Sequence, residues 1–261
     1  MIRNTFSLPL LLAIAAFAPC ASAGEATVAV AANFAEVAHH LQADFDRDTG
    51  NTIKVIIGST GSLYAQIKNG APFDVMLAAD QRRPKLLEQD GSAVTGSRFT
   101  YAVGRLTLWS AKAGVVDFRN GARTLMAGNF SKLAMADPKL APYGAAARQT
   151  LVAMHLYDAV RPKIVTAANI AQTFSMVQTG NADLGFVALS YVISKRNKTP
   201  GSHWEVPQHL YKPIRQDAVL LARAKQNETA RAFLEYLRSP RGIETIQQFG
   251  YLVASPTTHA K

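Results

Sequence analysis

The pentapeptide Gly58-Ser59-Thr60-Gly61-Ser62 separates a β-branched apolar run, residues 53–57, from a helix-compatible stretch, residues 63–68. A strand that ends in small polar residues and passes at once into a helix leaves backbone N–H groups and hydroxyl donors together at the helix's first turn. Taken alone, such a turn is also what an ordinary N-cap looks like. It constrains the fold because the arrangement recurs at three further junctions, marked by Asn33, by Tyr143, and by Asn169 with Ile170. Strand, polar turn and helix repeated at this spacing imply parallel strands with helices packed on them. Such sheets gather ligands at the carboxyl ends of their strands.

Along the chain, residues 27–32 carry the first strand pattern, and from Asn33 the apolar positions Phe34, Val37, Ala38, Leu41 and Phe45 share one helical face. Residues 75–78 read as the third strand, followed by a helix through Leu86 and Leu87. The run 101–109 has no helical period and is the expected crossing into a second lobe; Tyr211-Lys212-Pro213-Ile214 with residues 218–222 is the expected return. Between them the pattern repeats: strands over 133–136, 164–165 and 184–189, helices over 145–154, 170–178 and 190–194. Helices over 230–237 and 241–249 close the chain. The predicted architecture is α/β and two-lobed, with residues 24–103 and 215–261 in one lobe and 104–214 in the other.

Residues 1–23 stand apart. Arg3 supplies a positive start, residues 8–17 an apolar stretch broken by Pro9, and Ala21-Ser22-Ala23 a small-residue cleavage site. The reading is an exported, periplasmic protein cleaved after Ala23. The one cysteine, Cys20, leaves with the leader, so neither disulfide nor thiol chemistry is expected of the mature chain. No later segment approaches the roughly 18 apolar residues of a membrane span. The net charge of +10, from 28 basic and 18 acidic residues, is scattered rather than set in a stripe with interleaved aromatics. That distribution describes a solvated basic surface and excludes nucleic acid as a partner.

The usual catalytic constellations are missing. The six histidines show no paired ligand spacing, so no metal site is expected. Gly58-Ser59-Thr60-Gly61 lacks the frame of a nucleophile elbow, and Ser62-Leu63 stands where a phosphate loop needs Lys-Ser or Lys-Thr. Asp74, Asp80 and Asp183 fall at strand ends and turns, where Asp commonly serves as a cap. What remains is a binding site rather than an enzyme, in a chain expected to close on its ligand about a hinge.

Five motifs then carry a resemblance. Ala31-Ala32-Asn33-Phe34, Gly58-Ser59-Thr60-Gly61, Gly70-Ala71-Pro72-Phe73-Asp74, Ala136-Asp137-Pro138 with Pro142-Tyr143-Gly144, and Leu184-Gly185-Phe186-Val187-Ala188 resemble the periplasmic molybdate-binding proteins of ABC importers. They occur in order over nearly all of the mature chain. The resemblance implies a type II periplasmic binding protein: two parallel-type sheets flanked by helices and joined by two crossover segments. It implies Asn33, Ser59, Tyr143 and, through its backbone N–H, Ile170 as ligand contacts, with Ala32 and Thr60 as secondary ones. The ligand would be molybdate or tungstate, held by neutral donors with no direct bond to the metal atom and no cofactor. The partner would be a membrane permease, and the protein a monomer. Some members carry a ligand-binding tyrosine where this chain has Ala188, a contact the Tyr143 hydroxyl is expected to replace. A receptor for another oxyanion, sulfate or phosphate, and an exported hydrolase with a carboxylate in the cleft remain the alternatives.

Overall fold

The computed structural model describes residues 23–253; the leader, with Arg3 and Cys20, lies outside them. The chain opens with β1 (Glu25–Ala31), α1 (Ala35–Thr49), β2 (Thr52–Gly58), α2 (Thr60–Lys68), β3 (Val75–Leu77), α3 (Arg82–Gln89) and β4 (Phe99–Gly104). It continues through β5 (Leu106–Ser110), α4 (Gly121–Ala127), β6 (Leu133–Ala136), α5 (Pro142–Ala153), α6 (Tyr157–Val160), β7 (Ile164–Ala167), α7 (Ile170–Gln178), β8 (Leu184–Ala188), α8 (Leu189–Val192) and β9 (Ser202–Glu205). The last elements are β10 (Ile214–Leu220), α9 (Glu228–Arg238) and α10 (Pro240–Gln248).

The strands form two five-stranded sheets, in the orders β2-β1-β3-β10-β4 and β7-β6-β8-β5-β9. In each the three strands joined through helices are parallel, as the repeated junctions require; β10 in the first sheet and β5 in the second run antiparallel to them, and the edge strands β4 and β9 beyond these run parallel again. These last two strands of each sheet are the ones that carry the chain between sheets. It leaves the first sheet at Gly104 and enters the second at Leu106, with only Arg105 between. It returns over residues 206–213. The two crossings lie side by side, since Gly104 pairs with Ile214 and Thr107 with Glu205.

Each sheet has its own core. In the first, Val28 and Val30 of β1 meet Val37, Leu41 and Phe45 of α1 and Phe233 and Leu237 of α9, all fully or almost fully buried. The α9 pattern foreseen from residues 230–237 thus seals the same face as α1. In the second, Leu106, Leu108, Leu133, Met135 and Phe186 pack on Tyr143, Ala147 and Leu151 of α5. Burying each large apolar side chain is worth about 1.5–3 kcal/mol, so each half holds its sheet and helices together without a cross-link.

Three details differ from the sequence expectations. Asn33 does not cap α1: the chain makes a 3-10 turn over Ala32–Phe34 first, and no side chain caps that turn or α1. The turn forms because the Asn33 carboxamide is drawn into the interior, as described below. The run 101–109 is two strands broken at Arg105, not one. Finally α4, α6 and β9 lie in stretches without a clear period and were not expected.

Candidate functional site

Four helix starts meet where the two sheets face each other. They surround a small cavity lined by residues 31–33, Ser59, Thr60, Ala79, residues 141–143, Asn169 and Ile170. All six residues named from the sequence, Ala32, Asn33, Ser59, Thr60, Tyr143 and Ile170, are brought together here. None of the lining side chains is charged.

Local sequence explains how each start is held open. Ser59, extended at the end of β2, accepts the Ser62 N–H on its Oγ at 3.2 Å and so caps α2, leaving its own proton free to be donated. Thr60 Oγ1 accepts the N–H of Ala79 at 3.0 Å, which ties the α2 start to the end of β3. Asn169 caps α7 by accepting the Gln172 N–H at 3.0 Å. Pro142 occupies the first turn of α5, where its missing N–H costs nothing. Among the described residues, the backbone N–H groups of Thr60, Tyr143, Gly144, Ile170 and Ala171 have no acceptor within the protein. Their helices begin on the cavity, and such unpaired donors at the positive end of a helix favour an anion.

Behind the cavity lies a buried polar network that the sequence reading missed. Asn33 Nδ2 donates to Gln216 Oε1 at 2.9 Å and to the Tyr251 hydroxyl at 3.1 Å, so both carboxamide protons are engaged. Gln216, wholly buried on β10, also accepts from the Tyr101 hydroxyl at 3.1 Å and donates its Nε2 towards the Tyr143 hydroxyl at 3.5 Å. The Tyr251 hydroxyl donates to the Asn33 carbonyl at 2.6 Å, and Ser190 Oγ donates to the same carbonyl at 3.2 Å. Gly104 permits this packing, since a Cβ there would fall 2.1 Å from the Tyr143 hydroxyl oxygen. Burial pushes the Tyr143 phenol well above its ordinary value of 10, and the neighbouring phenols reinforce the shift. Burial likewise pushes Tyr251 up to about 12, against its bonds to Ser190, Asn33 and Tyr143. The network is therefore neutral throughout the ordinary pH range. A signal for it is visible in the sequence: Arg215-Gln216-Asp217 precedes the apolar run of residues 218–221.

The two halves also bond across the cavity's rim. The Gly61 N–H donates to the Leu140 carbonyl at 2.9 Å, and Arg83 Nη2 to the Lys139 carbonyl at 2.8 Å. On the opposite flank Tyr191 donates to the Ala32 carbonyl, and Ser194 to Glu36 at 2.8 Å. Ala188, where a tyrosine was noted as missing, is a fully buried strand residue, and Tyr191 is the tyrosine that reaches the first junction.

The carboxylates considered for catalysis are otherwise engaged. Asp74 accepts the Thr27 N–H and pairs with Arg223, Asp80 caps Arg83 and pairs with its guanidinium, and Asp183 accepts the N–H groups of Ser131 and Lys132. Among the described residues no group of three or more His, Cys, Asp or Glu could hold a metal ion, and no helix is long and apolar enough to cross a membrane. A larger open groove runs between α1, α10 and residues 193–198, lined by Glu36, His40, Asp44, Lys195, Arg196 and Phe249 among others. Its size and its carboxylates, Glu36 and Asp44, suit a small anion poorly, whereas the small neutral cavity carries none.

Comparison with known proteins shows the family. Residues 26–252 match the family model described as bacterial extracellular solute-binding protein. The chain is 49% identical over 250 residues to the molybdate-binding protein ModA of Azotobacter vinelandii, covering 95% of this chain and 98% of that one. It is 47% identical to the ModA of Rhodobacter capsulatus, over 89% of this chain and 90% of the other. Among solved structures, the periplasmic molybdate-binding protein of Azotobacter vinelandii superposes with a TM-score of 0.84 at 39% identity, covering 88% of this chain and all of that one.

Proposed function

The chain belongs to the family of bacterial extracellular solute-binding proteins, and from that membership we propose that it is a periplasmic receptor that captures molybdate between its two halves and delivers it to an ABC importer in the membrane. Tungstate, of the same shape and charge, is a second cargo. The protein acts as a monomer, and the bodies that close on the anion are residues 24–103 with 215–261 and residues 104–214.

The observation that carries this reading is the charge-free cavity with four helix starts aimed at it, together with the identity to molybdate-binding relatives. In the bound state Ser59 and Thr60 give hydroxyl protons, and Thr60, Tyr143 and Ile170 give main-chain N–H groups. Asn33 contributes its main-chain N–H, because its carboxamide is already bonded to Gln216 and Tyr251. The Tyr143 hydroxyl, whose oxygen receives Gln216, would turn its proton from the Tyr251 hydroxyl to the anion. Bonds to a charged acceptor are roughly twice as strong as neutral ones, so a shell of uncharged donors holds a dianion. The shell contains donors and few acceptors, so an oxyanion that carries a proton loses a bond there. A closed cavity of fixed size also disfavours smaller tetrahedral anions.

Calorimetric titration of the purified chain with molybdate, tungstate and sulfate tests the proposal. Molybdate and tungstate are expected to bind and sulfate at equal concentration not to compete; competition by sulfate would move the assignment to another oxyanion. A crystal grown with tungstate is expected to place the heavy atom among Asn33, Ser59, Tyr143 and Ile170, and a position elsewhere would overturn the site.

A further inference from the structure

We propose that the cations at the rim of the cavity form a capture site that draws a tetrahedral dianion to the opening and steers it inward, separate from the neutral donors that hold it. The proposal rests on the oxyanion reading above. A groove lined by residues 79–83, Pro138, Lys139 and residues 212–215, among others, adjoins the cavity and shares Ala79 and Pro142 with it. Five cations line it, Arg82, Arg83, Lys139, Lys212 and Arg215, against one carboxylate, Asp80, a local balance of +4 (five minus one). Asp80 is paired with Arg83. Arg82, Lys139, Lys212 and Arg215 are exposed, and among the described residues none of them pairs with a carboxylate.

Their placement follows the line along which the halves separate. Arg82 and Arg83 begin α3 beside the first sheet, Lys139 precedes α5 beside the second, Lys212 lies on the returning crossing and Arg215 at the start of β10. The rim bond from Arg83 to the Lys139 carbonyl crosses that line, so parting the halves leaves cations on both lips. The excess is local rather than a sample of the overall charge. In the groove along α1 and α10, Lys195, Arg196 and Lys198 are offset by Glu36 and Asp44.

A concave surface lined by one sign of charge focuses its field and raises the arrival rate of an oppositely charged ligand. Kept outside the cavity, the cations add to the association rate without entering the bonds that set size selectivity. Rate and selectivity then belong to different residues.

Stopped-flow fluorescence with molybdate tests this on the mature chain, using the signal of Trp109 and Trp204. The rim variant carries Arg82→Gln, Lys212→Gln and Arg215→Gln; a control of equal net charge carries Arg119→Gln, Lys195→Gln and Lys198→Gln. At low ionic strength the rim variant is expected to associate about tenfold more slowly than the unaltered chain, with an unchanged dissociation rate. The control is expected to keep the original rate. At about 1 M salt, where the screening length is about 3 Å, the difference is expected to vanish. Equal rates at low salt, a deficit that survives high salt, or an equal loss in the control would each overturn the proposal. Single substitutions at Lys212 and Arg215 give the same comparison at smaller fold-change if the triple variant does not fold. No molybdate signal with the unaltered chain would instead overturn the ligand reading, and the comparison is then run with sulfate, a dianion of equal charge.

Discussion

Asn33 and Gln216, 183 residues apart in sequence, meet at 2.9 Å in the interior, carboxamide to carboxamide. Gln216 thereby touches both an N-terminal and a central contributor to the cavity, Asn33 and Tyr143. Gln216→Leu would leave Asn33, Tyr101 and Tyr143 without that partner. The expected cost is about 1–3 kcal/mol for each buried group left unsatisfied, read by chemical denaturation, with weaker molybdate binding by calorimetry although Gln216 does not line the cavity. Unchanged affinity would mean that the network stabilises the fold but does not position the donors.

Ser59→Ala separates capping from binding. Loss of the cap on α2 is expected to cost about 0.5–2 kcal/mol of stability. Loss of a hydroxyl donor to a charged ligand is expected to cost a further 1–3 kcal/mol, roughly, of binding. Tyr143→Phe is expected to weaken binding by a similar amount, about 1–3 kcal/mol, with the fold retained. Equal affinities of Tyr143→Phe and the unaltered chain would leave Tyr143 with its main-chain N–H as its only contribution.

Arg83→Ala removes a bond across the rim and the pairing with Asp80. If the closed state is held in part by that bond, dissociation of molybdate should be faster by about 5- to 30-fold, the rate equivalent of about 1–2 kcal/mol. Measurement at high salt removes the steering effect and isolates the closure term.

The pH behaviour follows from the direction of two shifts. The Tyr143 phenol is held well above 10, so the only ionisable side chain lining the cavity stays protonated and binding should be flat from about pH 6 to 9. A titration in that range would place a different ionisable group in the shell. Asp183 behaves in the opposite sense: bonds from the Lys132 and Ser131 N–H groups hold its carboxyl below the ordinary 3.8. A carboxyl depressed in the folded state stabilises above its unfolded value and loses that contribution as pH falls through the folded one. The unaltered chain should therefore exceed Asp183→Ala in stability at neutral pH by about 1 kcal/mol or less, since solvent screens these exposed bonds, and the gap should narrow only below 3.8.

The repeated junctions were legible because each needs only local chemistry: a β-branched run, a capping residue and a helix, as at Ser59 and Asn169. The alternation also carried the two-sheet plan and both crossings. What stayed hidden depends on partners distant in sequence. Asn33 looks like an N-cap, and its actual role appears only when Gln216 and Tyr251 come beside it. The cut at Arg105 is invisible in residues 101–109 because both strands there are buried and apolar; only the change of sheet separates them. β9 escaped notice for the complementary reason, since Ser202–Glu205 is a short edge strand whose one buried residue is Trp204.

The paired crossings restrict how the molecule can move. Two strands tied edge to edge flex readily about the line lying across them but resist torsion, and the bond from Arg105 to Glu205 braces them further. A linkage of that kind has one soft degree of freedom. Halves that part about it would retrace one arc on every cycle, returning the donors of both to the same places around each new anion.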